Sequence, residues 1–197
     1  MLFCKTLLIE MTSMVEAVFF SLWFFAPAGF ANLAAFASGK IKLLRKYNYP
    51  VDGYQKFRKK RIFGSHKTVR GFIAAMFVGI IICSLQQLFY YSFPMIRSLV
   101  WLHYNAINPV LLGFLLGFGA LAGDAVKSFF KRQAGIQPGR SWFPFDQIDY
   151  IVGGVALSLL YLTLPVLDYI VLFIVWFLMH PLITFIGFLF KLRRRPL

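Results

Sequence analysis

The chain has 197 residues, 59% of them hydrophobic and 14% charged, with 24 Phe and a formal net charge of +14; its mean hydropathy is +0.71. Soluble domains carry about a quarter charged residues, so this composition excludes an ordinary soluble domain and implies a multi-pass helical membrane protein. The positive charge does not indicate nucleic acid: the basic residues lie in loops beside apolar runs, where they set topology and meet anionic headgroups, and no nucleic-acid motif accompanies them.

Five apolar spans are predicted, in an all-α integral membrane fold, over residues 14–37, 71–91, 107–122, 148–164 and 169–190. A helix needs roughly 20 residues to cross about 30 Å of hydrocarbon. The third and fourth spans are short, and the third is expected to continue as a helix past the bilayer. After the first span, "AAFAS" is similar to a signal-peptidase site. The preceding apolar run is longer than a signal h-region, however, and a dense basic loop follows it, so the span is expected to be retained. The segment "FPMIRSLVWLHYN", 93–105, fits an outer interfacial turn or short helix. Cys4 and Cys83 are isolated thiols with no disulfide or metal spacing, and His66, His103 and His180 are too scattered for a zinc site. With no internal repeat or linker, residues 1–197 form one domain.

Lys and Arg positions orient the spans. Eleven lie between the first two spans (Lys40, Lys42, Arg45, Lys46, Lys56, Arg58, Lys59, Lys60, Arg61, Lys67 and Arg70). Lys127, Lys131, Arg132 and Arg140 lie in the third connection, and Lys191, Arg193, Arg194 and Arg195 in the tail. Five crossings put nineteen of the 21 on one face, leaving Lys5 and Arg97 opposite. By the positive-inside rule that face is cytoplasmic, the N-terminus is outside and the protein sits in the cell membrane.

Three of the seven acidic residues fall in "GDAVKSFFKRQAGIQPGRSWFPFDQID", 123–149, among those basic residues. If the third helix runs on to about Gln133, Asp124, Lys127, Ser128, Lys131 and Arg132 share one face, while Phe129 and Phe130 point away. Gly135 ends that helix and "QPG" turns the chain; Asp146 and Asp149 then sit in the first turn of the next helix. Carboxylates beside Lys and Arg at a membrane surface suit a polyphosphate held through a hard cation such as Mg²⁺. The alternative is local: Asp146 as a helix cap, Asp149 as a first-turn acid favoured by the helix dipole, the basic residues facing headgroups. Spacing alone leaves both open. In "FGSHKTVRG" the glycine before Lys67 that a P-loop needs is missing and no strand precedes it, which excludes an ATPase. The loop's Gly64, Thr68 and Gly71 among the charges favour phosphate contact. Asn32, inside the first span, calls for a polar partner, either an interhelical hydrogen bond or a ligand.

"GDAVKSFFKR" followed by "PFDQID" resembles the signature of membrane CTP-dependent lipid cytidylyltransferases, in particular the CDP-archaeol synthase family. "PAGFAN", 27–32, and "YPVDGYQKFRKKRIFGSHKTVRGF", 49–72, are similar to that family's first helix and cytoplasmic loop, so the resemblance spans about 27–154. "LAAF" after Asn32 lacks the proline of that family, and His66 stands where a small or acidic residue is usual; both bear on lipid choice. The resemblance implies that CTP and a lipid phosphate, archaeal-type diether glycerol phosphate, give CDP-lipid and pyrophosphate in a polar cavity at the cytoplasmic face. It implies Mg²⁺ on Asp124, Asp146 and Asp149, with Asp124, Lys131 and Asp149 catalytic. Asn32, Lys67, Thr68, Arg70, Ser128, Lys131 and Arg132 would bind substrate. Phosphatidate or another isoprenoid phosphate is the alternative substrate. A small cation transporter is the alternative of a different class, disfavoured because the acids crowd at one face. CTP, the lipid phosphate and membrane lipids are the expected partners, with no nucleic acid.

Overall fold

A computed structural model describes residues 14–137 and 140–189. The predicted tail cations, with Cys4, Lys5, Glu10 and the Pro138–Gly139 turn, lie outside the described residues. The helices are α1 (Met14–Ser38), α2 (Val69–Ser92), α3 (Pro94–Leu99), α4 (Pro109–Gln133), α5 (Phe145–Ser158) and α6 (Val166–Leu189). Four of them, α1, α2, α4 and α6, are long and apolar enough to cross a membrane. The protein is a multi-pass helical membrane protein.

The central helix is α4, which packs on α5, α2 and α1. Its N-terminus is set by Asn108, whose side chain accepts from the amides of Val110 and Leu111, with Pro109 in the first turn. It does continue to Gln133, and it stops as expected at Gly135: the φ of +79° there lets Ile136 N donate to Lys131 O at 3.0 Å. In α1, Pro27 has no N–H to give the carbonyl of Trp23. That carbonyl instead accepts from Gln86 Nε2 of α2 at 2.5 Å, so a polar residue in one span repairs the defect in another. Trp176 Nε1 of α6 likewise donates to Ser21 O of α1 at 2.9 Å. Phe20, Phe24, Phe25, Leu116, Ile151 and Leu172 fill the core between these contacts.

The predicted fourth span changes shape. Residues 148–164 were expected as one helix, but α5 ends at Ser158 and the chain turns through to Pro165, whose ring disfavours helix at the residue before it. At 14 residues α5 extends about 21 Å, short of a bilayer's ~30 Å. The segment after it closes the distance: Tyr161 Oη accepts from Asn108 N at 2.7 Å, back at the start of α4. The segment 93–105 forms α3 and leads into a 3₁₀ turn, Tyr104–Ala106, in line with the interfacial element expected there.

The basic loop is more ordered than its charge suggests. A hairpin pairs β1 (Lys56–Phe57) with β2 (Lys60–Arg61) across Arg58 and Lys59, both at positive φ, as a two-residue hairpin turn demands. Lys60 Nζ donates to Gln133 O at 2.7 Å and Phe57 packs against Phe129, which fastens the hairpin to the C-terminal end of α4. The loop and the third connection therefore share one end of the bundle.

Candidate active site at the basic end of the bundle

The last turns of α4 present Asp124, Lys127, Ser128, Lys131 and Arg132 at helical spacing on one face. Lys127, Ser128, Lys131 and Arg132 line a cavity of about 170 Å³ whose other wall is Phe63, Gly64, His66 and Lys67 of the loop. Arg132 Nε is buried there with no hydrogen-bond partner among the described residues. A buried donor of that kind is expensive to leave unsatisfied and fits an anion.

The three carboxylates meet beside this cavity. Lys127 Nζ lies 3.0 Å from Asp124, 2.9 Å from Asp146 and 2.5 Å from Asp149. Lys67 also pairs with Asp124, and Lys131 Nζ reaches both oxygens of Asp146 at 3.0 Å. The side chain of Asp149 is only 4% exposed, and its Oδ2 faces the Lys127 ammonium. Neither α5 acid caps the helix, because Pro144 occupies the N-cap position. Asp146 instead accepts from Trp142 N at 2.5 Å, fixing the approach to the helix, and Asp149 accepts from Tyr150 N at 2.6 Å. The local alternative for Asp146 is thereby corrected.

A buried ion-pair network is weak evidence for stability, since desolvation offsets most of its Coulombic gain. Six charged groups drawn from a loop and two helices, in a chain with seven acids in all, indicate a task beyond folding. Among the described residues, no three His, Cys, Asp or Glu side chains already stand in metal-ligating geometry. Three carboxylates do surround a single cation, the Lys127 ammonium, and their hard oxygen donors suit Mg²⁺.

Not every expected residue arrives here. Asp124, Asp146, Asp149, Lys67, Ser128, Lys131 and Arg132 do. Thr68 is the N-cap of α2, accepting from Gly71 N at 3.4 Å, and Arg70 Nη1 donates to Leu44 O at 3.2 Å, so both organise the loop and neither lines the cavity. Asn32 is half-buried on α1 and does not line it either. Sequence reasoning missed the part of Lys127 as hub, although its position three residues after Asp124 places the two on one face. It also missed Phe63 and His66 as cavity wall, for which composition offers no signal, whereas Gly64, one of the loop glycines expected at a phosphate contact, does line the cavity.

Carboxylates and ammonium groups gathered beside a cation-lined cavity in a helical membrane protein suit the class of membrane-embedded enzymes that act on phosphates. Comparison with known proteins narrows this. The family model described as CDP-archaeol synthase (CarS-like) matches residues 14–196. The CDP-archaeol synthase of Methanospirillum hungatei is 35% identical over 174 residues, covering 84% of this chain and 95% of that one. Those of Thermococcus gammatolerans and Methanocaldococcus jannaschii are 34% and 33% identical, covering 73% and 75% of this chain and 75% and 79% of theirs. A solved structure of an intramembrane enzyme for archaeal membrane lipids biosynthesis aligns with TM-score 0.63 and 27% identity, over 81% of this chain and 89% of that one. The chain belongs to the CDP-archaeol synthase family. It is a CTP-dependent cytidylyltransferase acting on a lipid phosphate, a nucleotidyltransferase of the membrane.

Proposed function

We propose that the lipid substrate is a diether glycerol phosphate and that the reaction takes place at the basic end of the bundle, facing the cytoplasm, with Mg²⁺ held by Asp124, Asp146 and Asp149. The observation that carries this is the meeting of three carboxylates on Lys127 beside a cavity walled by Lys67, Lys131 and Arg132. A lipid phosphate oxygen attacks the α-phosphorus of CTP in line; the bond to the β-phosphate oxygen breaks and pyrophosphate leaves. The nucleophile is already anionic, so no side chain has to remove a proton and no covalent enzyme intermediate is needed. Held by those three carboxylates, Mg²⁺ would supply Lewis-acid stabilisation of the phosphate charge. The work of the chain is to bring two anions together. Lys67, Lys131, Arg132 and the Ser128 hydroxyl hold phosphates, and Asp146 keeps Lys131 aimed at them.

Five crossings support this placement. The short α5 and the turn after it form the fourth, the N-terminus is outside, and the lipid tails stay in the bilayer while the headgroup meets CTP. The protein is then a cell-membrane enzyme whose basic loops are cytoplasmic. A cation pathway would distribute acids through the depth of the membrane. Here Asp124, Asp146 and Asp149 stand together, and Asp168 begins α6 at the other end.

The test is CDP-lipid formation from labelled CTP and a synthetic diether glycerol phosphate, with diacyl phosphatidate in parallel. Asp124→Asn, Asp146→Asn and Asp149→Asn are each expected to lower turnover by roughly 100-fold or more while the protein still purifies as a folded species. Asp168→Asn should stay active. Near-normal turnover in all three variants would sink the site, and preference for phosphatidate would reassign the lipid.

A further inference from the structure

The ammonium of Lys127 stands where three carboxylates converge, 2.5–3.0 Å from each. This is the position a divalent cation would take if those carboxylates bound one. Lys127 also lines the cavity, as do Lys67 and Lys131, which hold Asp124 and Asp146 from their other sides. The six side chains carry three negative and three positive charges, so the ligand-free cluster is electrically closed. A divalent ion entering alone must displace Lys127 from three partners and leaves the cluster with two excess positive charges in a largely buried setting. A nucleotide triphosphate arriving with the ion supplies the missing negative charge and gives the released lysine new oxygens, reachable because Lys127 already faces the phosphate cavity.

Resting on the Mg²⁺ assignment above, we infer that Lys127 is an internal counter-ion that holds the metal position in the empty enzyme and moves to the triphosphate when metal and nucleotide enter together. Metal and nucleotide binding are then coupled. The empty site resists metal, and each ligand raises the affinity of the other by the same factor. Among the described residues no other has this geometry: Lys67 and Lys131 each touch one of the three carboxylates and Lys127 touches all three.

The experiment is Mn²⁺ binding to the purified full-length protein, followed by the spectroscopic signal of free Mn²⁺, with and without a non-hydrolysable α,β-methylene CTP. The wild-type protein should bind Mn²⁺ weakly alone and at least about ten-fold more tightly with the analogue, within the roughly 5- to 150-fold span of coupled sites. Lys127→Met, close in length but uncharged, should bind Mn²⁺ alone about ten-fold more tightly than wild type, and the gain from the analogue should shrink by a similar factor. Lys127→Arg keeps the charge and should retain weak metal binding. If Lys127→Met binds metal no better than wild type, or Lys127→Arg binds it as tightly as Lys127→Met, the counter-ion role is overturned. If wild type shows no saturable Mn²⁺ binding even with the analogue, the Mg²⁺ assignment itself fails. If binding is present but coupling is not, only the inference about Lys127 fails.

Discussion

The carboxylate of Asp52 is fully enclosed by its own loop and accepts from Arg61 Nε at 3.1 Å, Arg61 Nη2 at 2.5 Å, Phe63 N at 3.1 Å, Gly64 N at 3.0 Å and Tyr54 N at 3.1 Å. Phe63 and Gly64 are cavity wall, so a side chain outside the cavity sets the backbone that lines it. Burial alone would raise the Asp52 carboxyl; Arg61 and the three amides outweigh it and hold it below the usual carboxylate range. A depressed folded-state value means that the unfolded loop binds the proton more readily. The stabilisation is therefore present above about pH 4 and is lost as pH falls through the lower folded value. Hydrogen exchange of the 50–68 peptide checks this. Wild-type protection, corrected for intrinsic rate, should persist down to about pH 5 and fade only in stronger acid. Asp52→Asn should lose it at every pH, because hydrogen bonds to a charged acceptor contribute roughly 1.5–3 kcal/mol. Wild-type protection in Asp52→Asn would remove Asp52 from this part.

Between elements, the distance from α4 to α5 decides where Asp149 stands. A Cβ added at Gly123 would meet the carbonyl oxygen of Asp149 and come within 3.0 Å of Gly153 Cα, and one at Gly119 would lie 2.6 Å from Gly153 O. The helices touch backbone to backbone, which only glycine permits. Gly123→Ala should push the start of α5 away and carry Asp149 with it. Overpacking of this kind typically destabilises by about 1–3 kcal/mol, and a 1 Å misplacement of a reacting group costs about 100-fold in rate. The expected result is a lowered Tm together with a turnover loss far larger than that of Val152→Ala, an exposed position on the same helix α5. Equal turnover in the two variants would dissociate helix spacing from catalysis. The same contacts explain what the sequence left hidden. Apolar runs of about 20 residues announce α1, α2 and α6 by hydropathy alone, and a shorter run, 107–122, announces α4, whose last turns are polar. Beyond the end of α5 at Ser158, Tyr161 reaches Asn108, a contact between residues 53 apart that no local pattern carries.

Over the whole molecule, the site was legible where it is written in adjacent helix turns and invisible where it depends on how a loop folds back. Asp124 through Arg132 follow from helical spacing, and Asp146 and Asp149 from their place after Pro144. That Lys67 turns inward while Thr68 caps α2 and Arg70 holds Leu44 depends on the bridge between Pro50 and Thr68. The structure brings the basic loop and the third connection to one end of the bundle through Lys60 and Gln133, and α3 to the other, where Trp23, Tyr104 and Gln87 meet. The proposed orientation rests on charge, because cations are retained on the cytoplasmic side, and it would open the site to cytosolic CTP. Single cysteines replacing Gln55, Gln137 and Ser98, all exposed, read this out in a Cys4→Ser background, since Cys83 is buried. A membrane-impermeant maleimide should label Gln55→Cys and Gln137→Cys in inverted vesicles alone and Ser98→Cys in right-side-out vesicles alone. Labelling of Gln137→Cys from outside would turn the bundle over and separate the carboxylate cluster from cytosolic nucleotide. Labelling of Gln55→Cys and Gln137→Cys from opposite sides would contradict the fold itself, because the contact of Lys60 with Gln133 requires those two segments to share a face.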